Sequence, residues 1–135
     1  MNELLVFTAL PRLSRVPEDC DTSQPIVLKL NYAMSSPDPV GKVAMVLEYE
    51  VVDDDGDVTP AAVTATKVDV IDPPDSAQVL DMFSGVNLKI DAANLGGAGR
   101  NINCKLYRDA DVGGDTHTGN FRVLNVWLVY TKAAN

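Results

Sequence analysis

From Lys42 to Val52 the side chains alternate, with Val43, Met45, Leu47, Tyr49 and Val51 on one side and Lys42, Glu48 and Glu50 on the other. A period of two is the signature of an extended strand with one buried face, and a helix cannot use it. The pattern recurs upstream, where Ile26, Leu28, Leu30, Tyr32 and Met34 share one face and Lys29 and Asn31 the other. Between the two lies Ser35-Ser36-Pro37-Asp38-Pro39, whose prolines cannot donate to a ladder and whose Ser and Asp favour turns. The residue supply agrees: Val, Ile and Thr total 30 against 13 Leu and 13 Ala, a β-branched bias suited to pleated surfaces.

The rest of the chain reads the same way. Asp53-Asp54-Asp55-Gly56-Asp57 is a solvated turn, because Asp-Gly closes hairpins and adjacent carboxylates need water. Residues 63–71 form a strand with Val68 and Val70 on one face and Lys67 and Asp69 on the other, stopped by Asp72-Pro73-Pro74-Asp75. Residues 79–83 and 86–90 read as two short strands around Ser84-Gly85, residues 91–95 as a helical turn, and Gly96-Gly97-Ala98-Gly99 as a flexible connection. Ile102, Cys104 and Leu106 alternate with Asn103, Lys105 and Tyr107 in the next strand. Residues 121–131 form the last strand, apolar on both faces and therefore expected in the middle of a sheet.

About seven or eight short strands with turn signals between them, and no amphipathic helix of useful length, indicate an all-β chain folded as an antiparallel β-sandwich or jelly roll. At 135 residues one domain is expected. Residues 25–135 would form the sandwich. Residues 1–24, with Pro11, Pro17 and an apolar start, would run as an N-terminal arm with room for one edge strand.

Several functions are disfavoured. Eleven Lys and Arg against 19 Asp and Glu give a formal charge of −8, the wrong sign for neutralising phosphates, so no nucleic-acid partner is expected. Apolar runs such as Val43 to Leu47 fall far short of the ~20 residues that span a bilayer, so no membrane partner is expected either. Leu4 to Leu10 fails as a signal peptide because its leading charge is Glu3, Pro11-Arg12 follows it and no small-x-small cleavage pattern appears. A cytosolic site of synthesis follows, and in that compartment Cys20 and Cys104 are expected as free thiols.

Catalysis has little to work with. The single histidine, His117, lies in the polar Asp115-Thr116-His117-Thr118-Gly119 stretch, read as a solvated turn with no nucleophile beside it. Walker, dinucleotide and zinc spacings are absent, so no enzyme activity, no cofactor and no zinc site are expected. Asp109-Ala110-Asp111-Val112-Gly113-Gly114-Asp115 sets carboxylates at alternate positions, as a calcium loop does, but Gly113 and Asn120 occupy positions where an EF-hand needs ligands. An Asx-turn hairpin loop explains the same residues. Trp127, inside the last strand, suits a core or interface role better than a sugar platform, and Tyr32, Tyr49 and Tyr130 read as core.

The order of motifs adds a resemblance. Residues 25–34 (PIVLKLNYAM), 42–57 (KVAMVLEYEVVDDDGD), the Asp72-Pro73-Pro74 break, 106–111 (LYRDAD), 115–120 (DTHTGN) and the terminal VLNVWLVY resemble the jelly-roll-like domain of tailed-phage virion structural proteins. That group includes capsid decoration (cement) proteins and tail-fibre and spike domains. The likeness spans about residues 25–131 and implies a non-enzymatic capsid decoration protein on the outer surface of the virion, bound to the major capsid protein and forming a homotrimer. It implies, as an alternative, a receptor-binding tail-fibre or spike component. A lone sandwich with a short arm suits the capsid role, and acidity suits an outward-facing location. The expected capsid contacts lie in the arm: Leu4, Val6 and Phe7 as apolar anchors, Arg12 and Arg15 as charges facing an acidic shell.

Overall fold

In the computed structural model of the chain, residues 3–5, 15–52, 65–73 and 81–134 are described. The elements are β1 (Glu3–Leu5), β2 (Ile26–Met34), β3 (Val43–Val52), β4 (Ala65–Ile71), β5 (Asp81–Ile90), α1 (Ala92–Leu95), β6 (Asn101–Arg108) and β7 (Phe121–Val129). They form two antiparallel sheets, one in the order β1-β6-β3-β4 and one in the order β5-β2-β7. The chain changes sheet at every connection except β3 to β4, which is the winding of a jelly-roll-like sandwich. The all-β sandwich expected from the alternation is what forms, with seven strands.

The two clearest alternating segments build the core. Ile26, Leu28, Leu30 and Tyr32 of β2 face Val43, Met45, Leu47 and Tyr49 of β3, all at most 2% exposed. Burying a side chain of this size contributes roughly 1.5–3 kcal/mol, so these two strands dominate the favourable side of folding. Tyr32 and Phe121 stack with ring centroids 4.8 Å apart at 16°, tying β2 to the start of β7. Leu88, Ile90, Leu95, Ile102 and Leu106 complete the interior.

Two features differ from the sequence expectation. Residues 79–83 and 86–90 were expected as separate strands, yet 81–90 is one strand, β5. Its register against β2 slips between Val27↔Lys89 and Lys29↔Ser84, so an irregularity absorbs the extra residues that were read as a turn. The last strand was expected at a sheet centre, but among the described residues β7 lies at an edge and β2 holds the centre. Beyond buried Phe121, its apolar side chains on both faces are consequently half-buried or exposed, with Leu124 62%, Val129 38% and the following Tyr130 38% exposed. Tyr130, expected in the core, is among them.

β4 keeps the expected alternation. Val68 and Val70 face outward at 41% and 42% exposure. Lys67 and Asp69 lie instead on the side toward the other sheet, where Lys67 pairs with Asp91 and Asp69 accepts the Asn87 N–H at 3.2 Å. These polar contacts bind β4 to β5 and close that side of the sandwich. The helical turn expected at 91–95 is α1. Buried Tyr49 fixes its start, its hydroxyl accepting from the Asp91 N–H at 3.1 Å and from Asn94 Nδ2 at 2.7 Å.

Candidate functional site

Chemistry-bearing side chains gather where β6 ends and β7 begins. Arg108, the last residue of β6, is 6% exposed. Its Nε donates to Asp115 Oδ2 at 2.9 Å, its Nη2 donates to Asp115 Oδ1 at 2.8 Å and to the His117 carbonyl, and its Nη1 donates to the Gly119 carbonyl at 2.6 Å. Asp115 Oδ2 also accepts the Ala44 N–H at 2.9 Å. The guanidinium thus holds the 115–119 loop while that loop continues the ladder of β3 beyond β6. Thr116 N–H and His117 N–H both donate to the Lys42 carbonyl, and Asp109 N–H donates to the Ala44 carbonyl.

Burial works against ionisation of Asp115, but the hydrogen bonds from Arg108 and Ala44 and the guanidinium charge outweigh it and lower its pKa. Asp109 Oδ1 accepts the Asp111 N–H at 3.0 Å, an Asx turn. The carboxylates of the calcium-like spacing therefore diverge: Asp115 turns inward to Arg108 and Asp109 caps its own turn. Among the described residues no group of three metal-ligating side chains comes together.

His117 was expected in a solvated turn and is instead 5% exposed. Its Nδ1 accepts the Gly119 N–H at 2.9 Å, and Nε2 is enclosed without a partner. The neighbouring loop presses close, since a Cβ at Gly41 would stand 2.7 Å from the His117 Cα. Ser36 Oγ also crowds Gly119, where a Cβ would stand 2.6 Å from it and 3.2 Å from His117 Nδ1, and the histidine braces one loop against another. The signal missed in the sequence was Arg108, whose charge draws the loop inward across a distance that spacing rules do not register.

The two thiols are unbonded. Burial, with Asp21 and Asp19 nearby, raises the pKa of Cys20, and burial alone pushes Cys104 up to about 12. Neither is poised as a nucleophile.

The outer face of the four-stranded sheet is the second feature. Leu4, Tyr107, Val46 and Val68 occupy one register row across all four strands, with Ala44 and Val70 in the next row between β3 and β4. Val46 and Ala44 are buried at 2% and 0% exposure, so between β3 and β4 the exposed apolar residues of these rows are Val68 and Val70. Tyr107 donates to Glu48 Oε1 at 2.9 Å, and Lys105 lies 3.7 Å from Glu48 Oε2 and 5.0 Å from the Tyr107 ring centroid. Desolvation first, then the Glu48 hydrogen bond and the Glu48 and Asp109 charges, raise the Tyr107 hydroxyl to about 12. A polar row of Glu48, Lys105 and Thr66 thus borders an apolar row that includes exposed Val68.

The expected contact residues divide. Leu4 is in β1, paired in register with Tyr107. Arg15 is exposed and bridges to Asn101 at the start of β6. Val6, Phe7 and Arg12 lie outside the described residues. Leu4 and Arg15 therefore sit along one strand, β6, near its two ends. Beyond them the chain lies against the sandwich: Val16 is 1% and Cys20 8% exposed, and Asp21 N–H donates to the Thr131 carbonyl at 2.8 Å.

No family model matches the chain, and neither the curated proteins nor the solved structures searched contain a match.

Proposed function

We propose that the protein is a non-enzymatic capsid decoration protein, seated on the outer surface of a phage shell and stabilising it by bridging neighbouring capsid subunits. Support comes from the motif order and from one structural observation: the apolar pair Val68 and Val70, 41% and 42% exposed on the outward side of β4, which is an edge strand among the described residues. A protein that acts by attachment needs such a face, because association is driven by burial of apolar area inside a polar rim. Binding only the assembled shell stabilises it by mass action. In this reading three copies gather around each three-fold position of the shell, and the acidic surface faces away from packaged DNA.

The test is cosedimentation with undecorated capsids. Val68→Asp, Val70→Asp and Arg15→Glu each alter an exposed residue and should leave the fold intact while weakening attachment at least tenfold. Truncation of the N-terminus would mislead, since it removes β1 from the sheet. Wild-type protein that fails to sediment with shells, but binds host cells or glycans, would replace this reading with the tail-fibre or spike role.

A further inference from the structure

We infer that β7 is a pairing edge through which two copies of this chain join, antiparallel, about a twofold axis at Trp127. This goes beyond the capsid reading and concerns the protein in free solution. Of the described strands four face three in the sandwich, and β4 lies against β5 on the sealed side, so the vacancy left by the described residues falls beside β7. Among the described residues nothing pairs with the outer edge of β7, and open edges accept strands.

The edge is complementary to itself. β7 runs in unbroken register with β2 from Asn125↔Asn31 to Val129↔Val27, and Leu124 is the extra residue that breaks the ladder before Val123↔Tyr32. The regular stretch is therefore centred on Trp127. Antiparallel pairing about that residue sets Trp127 against its counterpart and Asn125 against Val129 on the outer face, with Val126 against Leu128 on the inner face. The Leu124 bulge ends the pairing before Arg122 would meet Lys132, so no like charges stand directly opposed.

Charge favours the same contact. Residues 116–135 hold two basic side chains and no acidic one, while residues 1–115 carry all 19 acidic residues against nine basic. Asp19, which accepts from the Tyr130 hydroxyl at 2.9 Å, and Asp21, whose N–H donates to the Thr131 carbonyl, lie just beyond the paired stretch, while neither residues 125–129 nor their β2 partners 27–31 include a carboxylate. An apolar strand with an aromatic residue at its middle is also the composition found at interface centres.

Trp127 is the only tryptophan, so its emission reports the contact directly. The full chain should be followed by sedimentation equilibrium and by fluorescence from about 1 μM to about 1 mM, because so short an edge buries less than the ~1,200 Å² of a stable interface. The expected result is a monomer–dimer transition whose midpoint matches a shift of Trp127 emission to shorter wavelength. Val129→Lys should weaken it at least tenfold with the folded circular dichroism spectrum unchanged, and Val40→Lys, at a residue 84% exposed elsewhere, should leave it unaltered. A monomer throughout the range, a trimer as the first assembly, a dimer without the emission shift, or a dimer indifferent to Val129→Lys would each overturn the inference.

Discussion

Arg108 grips both carboxylate oxygens of Asp115, seven residues away, at 2.9 and 2.8 Å, with side-chain exposures of 7% and 3%. The pair closes the loop between β6 and β7, and its remaining donors satisfy the carbonyls of His117 and Gly119. Breaking a buried pair from one side leaves an uncompensated charge, which costs about 3–5 kcal/mol. Arg108→Met should accordingly lower the thermal midpoint by roughly 10–20 °C for a domain of this size. Thermal unfolding followed by circular dichroism measures this, and a shift under about 2 °C would show that the pair does not hold the loop.

The same pair makes an acid-sensitive contribution. The pKa of Asp115 is lowered in the folded state, so the unfolded chain takes up its proton first as pH falls. The stabilisation is complete above the unfolded value near 3.8 and disappears as pH drops through the lower folded value. Urea midpoints of wild type and Asp115→Asn, measured between pH 6 and the acid limit of folding, should therefore converge at the acid end. Parallel curves would mean that another carboxylate carries the acid sensitivity.

Tyr49 links the core to α1 through a hydroxyl accepting two hydrogen bonds. Tyr49→Phe keeps the ring and strands the Asp91 N–H and the Asn94 amide, at a cost of about 1–3 kcal/mol. Because Asn94 shares that oxygen, Asn94→Ala combined with Tyr49→Phe should cost less than the sum of the single changes. Denaturant unfolding of the four proteins settles the coupling, and strict additivity would exclude it.

Much of this fold was legible because β2 and β3 are central strands with one face against the other sheet, where burial enforces alternation. Residues 121–131 misled for a related reason. Trp127 and Val129 on one face and Val126 and Leu128 on the other look like a strand covered on both sides, but the same pattern suits an edge whose outer partner is absent among the described residues. Lys67 and Asp69 gave no sign of facing the other sheet, because their partners, Asp91 and the Asn87 backbone, lie across the sandwich. The alternate aspartates at 109–115 drew attention as cation ligands, whereas the neighbouring Arg108 supplies the positive charge that Asp115 uses. Ion pairs of this kind depend on which way a loop turns, and local spacing does not carry that information.

The thiols offer a last check on the interior. Cys104 faces inward on β6, paired in register with buried Tyr49, and its thiol is raised to about 12 by burial, so almost none is thiolate at pH 8. Cys20 is 8% exposed and is shifted in the same direction by burial and by the carboxylates of Asp21 and Asp19. A disulfide reagent should consequently label neither thiol quickly in the native protein, and both should react at once in denaturant. Labelling should accelerate under destabilising conditions, and Arg108→Met should hasten it because the open population grows as stability falls. Rapid stoichiometric reaction of Cys104 in native buffer would show that the inner face of β6 is accessible to solvent and that the packing described for this side of the sandwich is wrong.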